Sequence, residues 1–358
     1  MKRWVFLVLA VFLLVGEAGA AEVPRDLMKA LPEGTEDLIE LADPTDPGGL
    51  ARGVGRILED MKGKVGEVLR QRTRGATSVL LVVVLCAAVE GFSQGTGGKT
   101  TLFLPMVGAL SVTLLTAGSL DSLIGLGAET IGELDTFSKA LLPTLAAAMA
   151  ASGQVSTAAF QQVTTVFLVN LLIDLINGLL MPLVYLYIGV LTASACLPEG
   201  RLTALADGLK KVVTWLLTTA LLAFTVYLSV ARVIAGSADG AAVKVAKAAV
   251  SGVVPVVGSI IAEASETVLA GAGMLKNTIG VFGMLAILAS CAYPFLQLGI
   301  QYLLYKLTAF LAGAVGAPGL CKLIDGLGGA FGLVLGMTGS CAILLLVSIL
   351  SSVAAVVP

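Results

Sequence analysis

Asp174 is the one acid deep within an apolar run of this sequence, and Asn170 and Asn177 flank it. Spacings of four residues before and three after put all three side chains on one face of a helix. A carboxylate in such a setting is costly unless it is paired, protonated or wetted. The trio therefore reads in one of two ways. It lines a pore or holds an ion or proton, or it makes interhelical hydrogen bonds that lock a bundle. No basic residue stands near it in sequence, and Lys276 is a candidate spatial partner.

A second set is Glu263, Glu266 and Lys276. Carboxylates three residues apart invite general acid–base chemistry. No nucleophile, metal-ligand cluster or phosphate-binding loop accompanies them, and no Walker motif occurs. Groove lining, or an interface with ion pairs, remains. The chain has no histidine, which excludes His-based triads, His general bases and His metal ligands together. The five cysteines (Cys86, Cys196, Cys291, Cys321, Cys341) form no CxxC pair and read as small buried hydrophobes. The sequence thus assigns no catalytic residue, no cofactor and no metal, and the protein reads as no enzyme. Its net charge of −2 makes no case for nucleic acid.

The elements that must position these residues follow from composition. Of 358 residues, 57% are hydrophobic and only 13% charged, with a mean hydropathy of +0.97. So few charges cannot cover a water-soluble fold, whereas lipid solvates the outside of a polytopic helical protein. Half of the charged side chains lie in the first 74 residues. Three parts result: a leader over 1–21, a polar segment over 22–74, and a multispan membrane domain over 75–358.

Lys2 and Arg3, the apolar run Trp4–Val15 and Ala18-Gly19-Ala20 form the pattern of a cleavable signal peptide. An uncleaved anchor is the competing reading. Within the polar segment, residues 48–74 look like a basic amphipathic helix, with Ile57, Leu58, Met61, Val65, Val68 and Leu69 at helical spacing. Its stripe packs on the protein itself, or it meets lipid headgroups or a partner. Arg70, Arg72 and Arg74 beside the first span favour a cytoplasmic side, in conflict with a cleaved leader, which delivers the segment to the other side.

Apolar runs predict an all-α fold of seven or eight spans: 76–92, 102–120, a short 140–152, a broken 163–196, 212–234, two within 279–317, and 331–356. An internal duplication is a candidate. Pro105–Gly108 recurs as Pro255–Gly258, Thr130-Ile131-Gly132 as Thr278-Ile279-Gly280, and Leu205–Leu209 as Leu323–Leu327. Duplicated halves occur in transport folds. Gly328, Gly332 and Gly336, four residues apart, predict close helix approach.

The stretch Val253–Gly258, continuing through Glu266–Leu269 to Leu275–Gly280, resembles the stage III sporulation protein AE family, with Pro255, Gly258, Asn277 and Gly280 at its motif positions. The resemblance implies a non-enzymatic integral membrane subunit of a sporulation channel, a secretion-like complex connecting mother cell and forespore and needed for late forespore gene expression. It implies partners among the other stage III sporulation A subunits, including intermembrane ring subunits and the operon's ATPase. It places the chain in the mother-cell-derived outer forespore membrane, with its front segment in the intermembrane space. Self-association is a further candidate, and the bilayer itself is a partner. The competing reading is a stand-alone secondary transporter with a polar intramembrane site around Asp174.

Overall fold

A computed structural model describes residues 23–32, 35, 49–96, 104–197, 202–253 and 258–353, with side chains throughout except at 93–96, 228–229 and 231–268. The leader over 1–21, most of 22–47, and Pro255 lie outside the described residues.

All regular structure among the described residues is helical: α1 (Arg25–Lys29), α2 (Gly49–Thr96), α3 (Leu104–Ala151), α4 (Val155–Leu175), α5 (Met181–Cys196), α6 (Thr203–Val253), α7 (Gly258–Ala314) and α8 (Pro318–Val353). A π-helical turn, Ile176–Leu180, joins α4 to α5 without a break. Six helical runs are long and apolar enough to cross a membrane: α2, α3, α4–α5, α6, α7 and α8. At about 1.5 Å per residue the 57 residues of α7 extend about 86 Å. A span needs only about 20 residues, so these helices project beyond the bilayer. The charged half of α2 and the acidic middle of α3 suit the projecting part.

Among the described residues there are six such runs where the sequence led to an expectation of seven or eight spans, because two of the expected breaks lie inside continuous helices. Asp121, Glu129, Glu133 and Asp135 do not break α3. On its other face Leu120, Leu123, Gly127, Ile131, Leu134, Phe137 and Leu141 stay buried at steps of three and four. The expected division of 279–317 near Gln301–Lys306 lies inside the continuous helix α7, where a row of polar residues faces inward. Gln297 accepts a hydrogen bond from Arg72, Gln301 is buried, and the Tyr305 hydroxyl donates to Thr116 Oγ1 at 3.0 Å. The run 163–196 continues through Asn177-Gly178 by way of the π turn.

The passes alternate in direction. Arg72 meets Gln297 and Ile57 packs with Leu285, Ala289 and Ala292, so α2 and α7 run parallel. Thr116 meets Tyr305, and the Phe137 and Phe282 rings lie 6.4 Å apart, so α3 and α7 run antiparallel. Gly329 faces Lys210 and Gly336 faces Leu217, so α6 and α8 run parallel. These directions keep the two candidate repeat units from superimposing as rigid bodies. One rotation cannot reverse α3 onto α7 while carrying α6 onto α8 in the same sense.

The links after α2, α5 and α7 gather at one end, the connector end. The α3–α4 turn and the end of α8 lie at the other. The α3–α4 and α7–α8 links both close on a left-handed glycine, Gly153 (φ 87°) and Gly316 (φ 89°). In each the glycine N–H and the next N–H bond back to the helix: Gly153 to Ala150, Gln154 to Met149, Gly316 to Gly313 and Ala317 to Ala312. This is the Schellman ending, which satisfies the last carbonyls and needs a residue without Cβ.

The helices α7 and α8 are the most enclosed. Gly328 and Gly332 bring α8 against Tyr305 and Tyr302 of α7, and Gly336 meets Leu217 of α6. The glycine row thus packs against two helices. The amphipathic half of α2 buries Ile57 and Val68, while Leu58, Val65 and Leu69 stay exposed. No break separates it from the span that follows.

Candidate functional site

Two hydrogen bonds fix the rotation of α4. Gln161 Nε2 donates to the Ser348 carbonyl at 2.8 Å, and the hydroxyls of Thr165 and Ser348 lie 2.8 Å apart. The face that meets α8 and α3 is buried at Thr157, Ala158, Gln161, Thr165, Val169 and Leu172. The opposite face carries Phe160, Val163, Phe167, Asn170, Asp174 and Asn177, at steps of three and four, and all six are exposed. Val163 and Phe167 are 70% and 64% exposed.

The predicted trio therefore does share a face, and that face points outward. Among the described residues, no side-chain hydrogen bond or ion pair joins Asn170, Asp174 or Asn177 to the rest of the chain. The trio does not lock this chain's own bundle. Lys276 is not the partner of Asp174. It is buried in α7, four residues before Gly280, whose missing Cβ makes room for Val353 near the end of α8. Asp174 lies nine residues beyond Thr165, toward the connector end. The side chains of Glu263 and Glu266 lie outside the described residues. Of the motif positions, Gly258 opens α7, Asn277 is exposed and Gly280 is buried.

The structure also builds a polar cluster at the connector end. The Tyr187 hydroxyl donates to the Gly326 carbonyl at 2.9 Å. Asp207 and Asp325 both lie within electrostatic reach of that hydroxyl. Lys306 Nζ binds Asp325 Oδ1 at 2.5 Å and stands 5.7 Å from the Tyr302 ring centroid. Both Asp-Gly pairs seen in the sequence thus meet at one place. Their recurrence ahead of two strong spans was the available signal. The parallel packing of α6 on α8 brings the two pairs together.

Among the described residues no group of three or more His, Cys, Asp or Glu could hold a metal. All five cysteines are free, with Cys291 and Cys341 buried and the other three half-buried. Long apolar helices around an enclosed α7–α8 pair, with a polar stripe on the outside, define a polytopic helical membrane protein.

The comparisons with known proteins make this specific. The profile of the stage III sporulation protein AE family matches residues 40–356. The chain belongs to that family, a group of sporulation-related membrane proteins. Stage III sporulation protein AE of Bacillus subtilis (strain 168) is 27% identical over 252 residues, which cover 69% of this chain. The match spans 62% of the relative, less than two thirds of its length. No solved structure matches the chain significantly.

Proposed function

We propose that this chain is a non-enzymatic integral membrane subunit of a channel, a secretion-like complex that connects mother cell and forespore and that late forespore gene expression needs. The outward face of α4 carries the reading. A stand-alone carrier encloses its polar site among its own helices near the bilayer midplane. Here the hydrogen bonds to Ser348 turn Asn170, Asp174 and Asn177 away from the bundle. Unpaired polar side chains turned away from their own bundle suit contact with another polypeptide. Membership of a sporulation family supports the setting.

The partners in this reading are the other stage III sporulation A subunits, the intermembrane ring subunits and the operon's ATPase. The chain sits in the mother-cell-derived outer forespore membrane. Lys210, Lys211, Lys306 and Lys322 lie near the connector end, beside short links, as on a cytoplasmic face. That leaves residues 49–74 on the intermembrane side, in agreement with a cleaved leader.

Affinity capture of the tagged chain from sporulating-cell membranes tests this. The other membrane subunits should co-purify, and Asp174→Leu should reduce their recovery about tenfold at unchanged protein level. The π turn beside Asp174 favours the transporter as a second reading, because such turns recur at functional sites. Solute flux by the purified chain alone in liposomes, abolished by Asp174→Asn, would establish that reading instead.

A further inference from the structure

The exposed face of α2 changes character along its length at the point where the apolar run begins. Arg70 and Arg74, one helical turn apart, come first. Thr73 lies between them, Thr77 and Ser78 follow, and then come Leu81 and Val82. With Gly66, Leu69 and Leu115 of α3 they line an open groove of about 890 Å3. Arg72, on the opposite side of the helix, is turned inward to Gln297. Arg70 and Arg74 are exposed, and among the described residues neither guanidinium has a partner.

From the geometry we infer that this groove binds an anionic phospholipid, its phosphate held by Arg70 and Arg74 and an acyl chain lying along Leu81, Val82 and Leu115. Three features select that occupant. Two cationic forks on one face match a phosphate that carries net negative charge. From residue 70 to residue 82 the groove runs about 18 Å along the helix axis, from charge through hydroxyls to aliphatic walls, the polarity order of a lipid entering a bilayer. A soluble anion would leave the aliphatic half unfilled. An acidic peptide laid there would leave backbone N–H and C=O groups without partners in the apolar half. The hydroxyls of Thr77 and Ser78 bond back to the helix at 2.8 and 3.1 Å, so they line the middle of the groove without exposed donors.

The test uses the full chain in nanodiscs with Trp4 and Trp215 replaced by Phe and with Leu81→Trp as the reporter. Quenching by brominated phosphatidylglycerol should reach half-maximum at a mole fraction about tenfold below that for brominated phosphatidylcholine. Arg70→Gln/Arg74→Gln should remove the preference, and Arg70→Lys/Arg74→Lys should keep most of it. The charge-matched control Arg56→Gln/Lys62→Gln should leave it unchanged, and millimolar glycerol phosphate should not compete. Four results would overturn the site. They are equal quenching by both lipids, equal loss in the control, displacement by glycerol phosphate, or no quenching by either lipid, which would mean that protein fills the groove.

Discussion

Thr165 and Ser348 face each other at 2.8 Å, and Asp174 lies nine residues along the same helix from Thr165. At about 100° per residue nine residues make about two and a half revolutions, which leaves the two side chains on opposite faces. The inward tie at Thr165 therefore fixes the outward direction of Asp174. The function proposed for this sporulation-family protein rests on that opposition.

Thr165→Val should destabilise the bundle by about 1 kcal/mol, the net worth of one buried hydrogen bond. Thr165→Val/Ser348→Ala should cost less than the sum of its single variants, since both remove one interaction. Unfolding in detergent measures both, and strict additivity would deny the contact.

Gly127 and Gly132 should respond oppositely to added bulk. A Cβ at Gly127 would fall 2.4 Å from Val334 Cγ1, whereas nothing lies within 4 Å of one at Gly132. Gly127→Val should therefore cost about 1–3 kcal/mol through overpacking, with partial rescue by Val334→Ala. Gly132→Ala should be neutral, or stabilising by up to about 1 kcal/mol through helix propensity.

Much of this architecture was legible in the residues. The apolar runs located every spanning helix, and the four- and three-residue spacings put Asn170, Asp174 and Asn177 on one face. Two expected breaks lie inside continuous helices, because polar side chains were taken as punctuation. The acids of α3 occupy one face while Leu120, Leu134 and Leu141 continue the buried row on the other. Gln297, Gln301 and Tyr305 recur every four residues as an inward polar seam rather than a loop. The direction of the Asp174 face was not legible for a different reason. In lipid both the inner and the outer faces of a helix are apolar, so composition alone does not separate them. Only Gln161 and Thr165, polar residues opposite the stripe, hinted at which side turns inward.

Asp174 is exposed and unbonded within the chain, so its replacement should leave the isolated fold intact. Asp174→Leu should shift stability by less than about 0.5 kcal/mol, as surface substitutions do. It should still impair spore formation. A parallel loss of folded protein would return Asp174 to a packing role.

The six long apolar runs alternate in direction, which puts both ends of the described chain at one end of the bundle. In a cysteine-free background, an impermeant maleimide should label Leu58→Cys and Val155→Cys from one side of the membrane. It should label Leu197→Cys and Val315→Cys from the other. All four positions are exposed. Labelling of Leu58→Cys and Leu197→Cys from the same side would break the alternation.

Photo-cross-linking along α4 in sporulating-cell membranes tests the central claim most directly. A photoreactive side chain replacing Asn170 or Asn177 should form adducts with a second polypeptide, and one replacing Val169 or Leu172 should react only within the chain. Adducts to lipid alone from the outward positions would contradict the account.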